Sequence, residues 1–294
     1  VLLNYRDFHS QTRGSDDWHF SQETQTPGGV KVTAYNGAEP FFLCSNSGEY
    51  QVDSSWYRDY FLPREYERGL ADSEDCLRTG RFLVKLKAGE SFTIAAGLSL
   101  LSTVPSIQEL VKQVVARQHS LLEKAAVLDK PPVVQRLVLA ADQFLARRKS
   151  TGGFTIVAGY PWFSDWGRDS MISLTGLCLS TGRFQEAIVC LNQYLANTED
   201  SRALYLRALV EEETGALGEA EASLLRCLEQ QPDFHMARFL LASGYLARGK
   251  RPQGVELLQH LRQSLAQVER DSLLPFSEGI TASELLSVID SLLQ

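Results

Sequence analysis

The chain has 294 residues, 44% of them hydrophobic and 22% charged, with a formal net charge of −7. That size suits one large or two to three small domains, and the balance is that of an ordinary soluble globular protein. The negative charge argues against a nucleic-acid partner, and no apolar run reaches the roughly 18 residues of a membrane helix, so no membrane partner is expected either.

The five cysteines (Cys44, Cys76, Cys178, Cys190, Cys227) are scattered and form no C-x-x-C pair. They read as buried or free thiols of a reducing compartment, the cytoplasm. The five histidines (His9, His19, His119, His235, His260) show no zinc spacing, so neither a metal nor a cofactor is expected. The start, Val1-Leu-Leu-Asn-Tyr-Arg6, has no initiator Met and no signal pattern; it reads as the inside of a longer protein.

Residues 1–103 read as a β domain. Val30 to Tyr35, Phe82 to Leu86 and Ser91 to Leu98 alternate apolar and polar residues, the last two runs joined by a predicted hairpin turn at Lys87-Ala-Gly-Glu90. Turn signals at Pro27-Gly-Gly29 and Asn46-Ser-Gly48 punctuate the rest, which suggests a β-sandwich. The aromatic and charged run Trp56 to Leu70 reads as an elaborated loop. Residues 104–130 form a linker helix: Ser106 and Glu109 make a capping box, and Ile107, Leu110, Val111, Val114, Leu121 and Ala125 form its apolar stripe. A second helix is predicted from Val133 to Arg148, burying Leu137, Ala140, Ala141 and Phe144, with Arg147-Arg-Lys149 as its solvated end.

The densest chemistry lies in Gly159-Tyr-Pro-Trp-Phe-Ser-Asp-Trp-Gly-Arg-Asp169. Aromatic faces (Tyr160, Trp162, Phe163, Trp166) beside acids (Asp165, Asp169) and Arg168 suit a sugar, because rings stack on sugar C–H faces and acids protonate glycosidic oxygens. A loop emptying into a helix at Ser170 to Leu179 is a usual place for a site. The helix from Phe184 to about Ala196 packs back on it, so residues 131–200 begin an all-α domain.

From about residue 201 the chain becomes repetitive. Ala208, Gly215, Ala220, Leu224 and Pro232 sit at offsets of a 34-residue helix-turn-helix repeat, and Ala242, Gly249, Gly254 and Leu258 repeat the pattern. Tyr245 takes the aromatic position held by Glu211 in the first copy. Gly182, Glu186-Ala187 and Leu191 precede their counterparts by 33 residues, so the helices over 170–196 could stack on the array. Thr281 and Glu284 cap a last helix carrying Leu285, Leu286, Ile289 and Leu292. Residues 201–294 resemble tetratricopeptide (TPR) repeats, and their sequence is also similar to the repeat tail of some chemotaxis-receptor methyltransferases. The TPR resemblance implies a peptide or protein partner in a concave groove.

Two stretches resemble the glycogen-debranching family in its amylo-α-1,6-glucosidase form: Glu67-Arg-Gly-Leu-Ala-Asp-Ser-Glu-Asp75 and the run from Gly159 to Gly176. The resemblance spans about residues 1–198. It implies a β-sandwich followed by an α/α barrel that removes α-1,6-linked glucose from an α-glucan such as glycogen or a branched dextrin. By match to its motif, Asp169 would be the catalytic acid, Arg168 and Trp166 would line the subsite, and Asp165 and Trp162 would support or contact the sugar. Such an acid must stay protonated near neutral pH, and an Arg168 aimed at Asp169 would oppose that.

Glycoside hydrolysis needs a second carboxylate, which in this family lies late in the barrel. Here the repeats begin after the first α-hairpin. Glu199, Asp200, Glu211 and Glu213 are the nearest candidates, and all read as solvated helix faces. The fold expected is α+β and multidomain: a β-sandwich, a truncated start of an α/α barrel and a short α-solenoid. The function expected is a debranching-type α-1,6-glucosidase fragment, weakly active or inactive. The alternatives are a non-catalytic protein binding α-glucan and peptide, or a fusion without joint function.

Overall fold

The computed structural model describes residues 1–7, 10–25, 28–160, 163–277 and 279–294. His9, Pro27 and Trp162, each named above, lie outside the described residues. By internal contacts the chain divides into a first unit built on Val1–His119 and a second built on Ser120–Tyr160 and Ser164–Gln294.

The first unit holds β1 (Leu2–Leu3), β2 (Ser21–Gln25), β3 (Gly29–Thr33), β4 (Phe41–Ser45), β5 (Glu49–Phe61), the short helix α1 (Pro63–Glu67), β6 (Ser73–Leu83) and β7 (Ile94–Gly97). One antiparallel sheet runs in the order β1-β6-β5 and the other β2-β3-β4-β7. Val30 and Val32 point to one face of β3 and are fully buried, as period-two alternation dictates. They share a core with Phe20, Leu43, Tyr50 and Leu77, drawn from both sheets.

Two readings of this region need correction. Lys87 to Glu90 is a turn, with Glu90 N donating to Lys87 O at 3.0 Å, but not a hairpin. The strands on its two sides, β6 and β7, belong to different sheets. The stretch from Trp56 to Leu70 is not a loop: its first part completes β5, and α1 follows. Register shifts after Val52 and after Tyr57 hide the alternation from the sequence. Asp59, at φ 58°, sits in the second shift. The buried Asp75 carboxylate holds it there, accepting from Asp59 N at 2.9 Å and from Gly14 N at 2.8 Å. Burial alone would raise the Asp75 pKa, but these two amides, with Arg13 and Arg58, hold it below the usual carboxylate value.

The helix α2 (Ile107–Lys124) follows, its start marked by Ser106 Oγ accepting from Glu109 N at 3.3 Å. Only Leu122 of α2 is buried; Ile107, Val111 and Val114 of the expected stripe are exposed. The helix α3 (Pro132–Ala141) ends earlier than its periodicity suggests, in a 3-10 turn at Asp142–Phe144. Residues Leu145–Arg147 then form β8, which pairs with β9 (Phe154–Gly159), and β10 (Phe163–Asp165) lies on the other side of β9. Strand pairing has overridden helix propensity here. So Arg147, Arg148 and Lys149 are not a helix end. The buried face of α3 is Val138 and Ala141, while Leu137 and Ala140 are exposed.

The remaining helices are α4 (Gly167–Leu177), α5 (Phe184–Leu195), α6 (Ser201–Glu213), α7 (Leu217–Gln230), α8 (His235–Ala247), α9 (Arg251–Leu265) and α10 (Ala282–Leu292). Ile156 of β9, Leu174 of α4, Leu191 of α5 and Leu206 of α6 share one core, so α4 and α5 stack on the array. A second core runs from Leu204 through Leu224, Leu241, Leu258 and Leu265 to Ile289. Gly182, Gly215 and Gly249 stand between α4 and α5, α6 and α7, and α8 and α9, at φ 68°, 79° and 75°. Left-handed backbone of this kind stops one helix and lets the next fold back, and glycine adopts it without a Cβ clash. Thr281 and Glu284 form the expected capping box of α10. No helix among the described residues is long and apolar enough to cross a membrane.

Candidate functional site

The motif run is held by β9, β10 and the first turn of α4. Trp166 is the N-cap of α4 and has extended backbone (φ −125°, ψ 132°) and no side-chain cap bond. The helix begins through its carbonyl, which accepts from Ser170 N at 2.9 Å. Arg168 and Asp169 therefore stand in the first turn, where an acidic residue complements the helix dipole.

Asp169 is half-buried, and its carbonyl accepts from Ser173 Oγ at 2.6 Å. Arg168 is exposed and makes no ion pair with Asp169. Tyr160 is 56% exposed, with its ring 6.0 Å from Phe144, and Trp166 is 59% exposed. Phe163 opens β10 and is also exposed.

Asp165 is placed differently. Its side chain is 19% exposed and pairs with Arg148, while Thr155 Oγ1 donates to its Oδ2 at 2.7 Å. These three residues line a cleft of about 200 Å³ with Gly167, Gln193 and Tyr194. Tyr194 OH donates to Asp200 Oδ2 at 3.2 Å; burial first, then Asp200, raises the Tyr194 pKa. Burial pushes the neighbouring Cys190 thiol up to about 11 and Cys178 up to about 12. The cysteines are free, and Cys76 is the one not fully buried.

The carboxylates named for the second catalytic position have other surroundings. Asp200 caps α6, accepting from Arg202 N at 2.8 Å and Ala203 N at 3.3 Å. Glu211 is not on a solvated face: it is 8% exposed, accepts from Ser223 Oγ at 2.6 Å and pairs with Arg207. Its place inside the α6–α7 hairpin explains why a glutamate can stand where the second copy has Tyr245. Glu199 and Glu213 are exposed, as expected. No group of three or more His, Cys, Asp or Glu residues able to hold a metal occurs among the described residues.

Sequence reasoning passed over Arg148 and Thr155. The usable signal was Gly152-Gly153 between two short apolar runs, which marks a strand–turn–strand unit rather than a helix end.

Comparison with known proteins bears on two segments. Residues 1–93 match the family described as glycogen debranching enzyme N terminal, and residues 139–205 match the family described as amylo-alpha-1,6-glucosidase. The second match ends inside α6. No curated protein matches the chain. Among solved structures, a crystal structure of MamA is similar at 15% identity and a TM-score of 0.30, covering 42% of this chain and 73% of MamA. Over residues 1–93 and 139–205, this chain carries a segment of the glycogen-debranching family.

Proposed function

We propose that the face formed by Tyr160, Trp166 and Asp169 contacts α-glucan. Asp169 is the general acid of a debranching-type α-1,6-glucosidase site, and this chain turns glucan over slowly or not at all. The observation that carries the reading is the exposure of two rings of the motif, Tyr160 and Trp166, the second at the N-cap of the helix whose first turn holds a half-buried Asp169 that pairs with no cation among the described residues. Exposed rings near an acid suit stacking on a sugar. Asp200 and Glu211 are committed to a helix cap and a buried network, which argues against either as the opposed base. In this reading Asp165 supports the sugar-facing residues and Arg168 belongs to the same substrate surface, while Phe163 and Trp162 are read as sugar contacts from the motif alone, Trp162 lying outside the described residues. The free thiols suit a cytoplasmic protein.

The test is affinity electrophoresis in gels containing glycogen or branched limit dextrin, with glucose release measured in parallel. Retardation that Trp166→Ala abolishes is expected, with glucose release low and lost in Asp169→Asn. Migration unaffected by glucan would sink the reading.

A second role concerns the array over residues 201–294, which we read as a TPR-type module for a peptide partner. A cleft of about 460 Å³ lined by Glu212, Glu213, Leu217, Glu221, Leu240 and Arg248 favours it. A broad peptide screen with the full chain tests it, and binding that survives substitution of Leu240 by Asp would count against this cleft. Absence of both glucan and peptide binding would leave joined segments without a joint function.

A further inference from the structure

We infer that Arg148 is a positioning residue for the Trp166–Asp169 face, acting through Asp165. This rests on the reading of that face as a glucan surface. The helix that carries Asp169 has an unusual start, because no side chain caps α4 and its N-cap is a tryptophan turned largely to solvent. The first turn therefore takes its position from what precedes it. One residue before Trp166, the Asp165 side chain is held from two directions.

The first hold is Thr155 on the adjacent strand β9, which donates to Asp165 Oδ2. The second is the Arg148 guanidinium, which pairs with the same oxygen. Arg148 is itself anchored. It leads the turn between β8 and β9, where its backbone N donates to Gly153 O at 2.9 Å, and Thr151 in that turn accepts from Gln193 of α5 at 3.3 Å. A Cβ at Gly153 would overlap the Gln193 amide and crowd Val189, so the turn lies tightly against α5. The path runs from α5 through the 148–153 turn and Arg148 to Asp165, and from there along the backbone to Trp166 and Asp169. An Arg with a planar, pre-organised fork suits this role better than a Lys.

Hydrogen exchange of the α4 first-turn amides, the urea midpoint and glucan affinity are measured for Arg148→Met, Arg148→Lys and the swapped pair Arg148→Asp with Asp165→Arg. Arg148→Met removes the fork while keeping length. It is expected to speed exchange at residues 170–173, the first amides of α4 that donate within the helix, and weaken glucan retardation, each by about three- to tenfold, the size of one charged hydrogen bond discounted for the partial exposure of Arg148. Arg148→Lys should restore part of both, and the swapped pair should restore exchange protection. First-turn exchange unchanged in a folded Arg148→Met protein would overturn the inference. So would a loss of glucan affinity that merely follows the urea midpoint across the variants. A wild-type protein that glucan does not retard would refute the proposed surface instead. The exchange measurements alone would then decide whether Arg148 places the α4 start.

Discussion

The array from α6 to α10 and the helices α2 and α3 all carry apolar residues at helical spacing, yet they bury them differently. In the array Leu204, Leu224, Leu258, Leu261, Leu265, Leu285 and Ile289 are fully buried. In α2 and α3 Ile107, Val111, Val114, Val133 and Leu137 are exposed; Ile172 on α4 is 77% exposed. Each array hairpin meets its neighbour after a short connection, so its apolar stripe is covered by chain close in sequence. The apolar residues of α2 and α3 have helical spacing without such local cover, whereas α4 buries Leu174 against α5 and leaves Ile172 outside. Periodicity states that a helix has an apolar face, and proximity along the chain decides whether that face is easily closed.

The sharpest test of the contrast is truncation. Leu258→Ala or Leu204→Ala removes a side chain with no solvent exposure and should cost about 2–5 kcal/mol by urea denaturation. Ile172→Ala and Leu137→Ala should move stability by less than about 0.5 kcal/mol. Equal losses at Ile172 and Leu258 would end the comparison.

Alkaline titration asks whether the interior around α4 is as dry as the array. Burial pushes Cys178 up to about 12 and Cys227, in the array, also to about 12, from the ordinary thiol value of 9.0. Unfolded thiols ionise above 9 while the folded ones stay neutral. The folded state therefore binds more protons, and stability falls as pH rises from about 9 towards 12. At pH 10 each thiol should contribute a loss of about 1 kcal/mol. Cys178→Ala and Cys227→Ala should each flatten the alkaline limb by a similar amount. A flattening by Cys227→Ala alone would mean that water reaches the interior beside α4.

The hairpin glycines test the same contrast through the backbone. Gly215→Ala and Gly249→Ala meet no neighbouring atoms, so only left-handed strain acts, about 1–2 kcal/mol. Gly182→Ala carries the same strain and also drives its Cβ into the Lys124 carbonyl, so it should lower the urea midpoint more than either. Equal shifts would make the α4–α5 connection just another repeat turn.

These elements also show what the sequence could reveal. Gly215, Gly249, Ala208, Ala242, Leu224 and Leu258 announced the array, because small residues and glycines recur where two helices must approach or turn. Ser106 and Thr281 announced helix starts, because a cap depends on neighbours within three residues. The site was visible as composition, four aromatics and two acids in one run, but its support was not. Arg148 and Asp165 are 17 residues apart, and an ion pair at that separation leaves no periodic trace. The bulges of β5 misled for a related reason. Each shift reverses the alternation, and what holds Asp59 in place is Asp75, supplied by β6.

The last contrast is between two helix starts. Helix α10 has a complete capping box, with Thr281 Oγ1 accepting from Glu284 N and Thr281 N donating to the Glu284 carboxylate. Helix α4 begins at Trp166 with no side-chain cap. Thr281→Ala should therefore cost about 0.5–1 kcal/mol, read as a lower urea midpoint. Trp166→Ser supplies the missing cap and should raise stability by a similar amount, because the ring it removes is mostly in solvent. The same substitution removes a ring assigned to glucan, so retardation in the glucan gel should disappear as the midpoint rises. A tryptophan that weakens its own helix and is needed for glucan would mark a position shaped by binding. A midpoint that falls in Trp166→Ser would show instead that the ring supports the fold, and would remove the argument for its place at the surface.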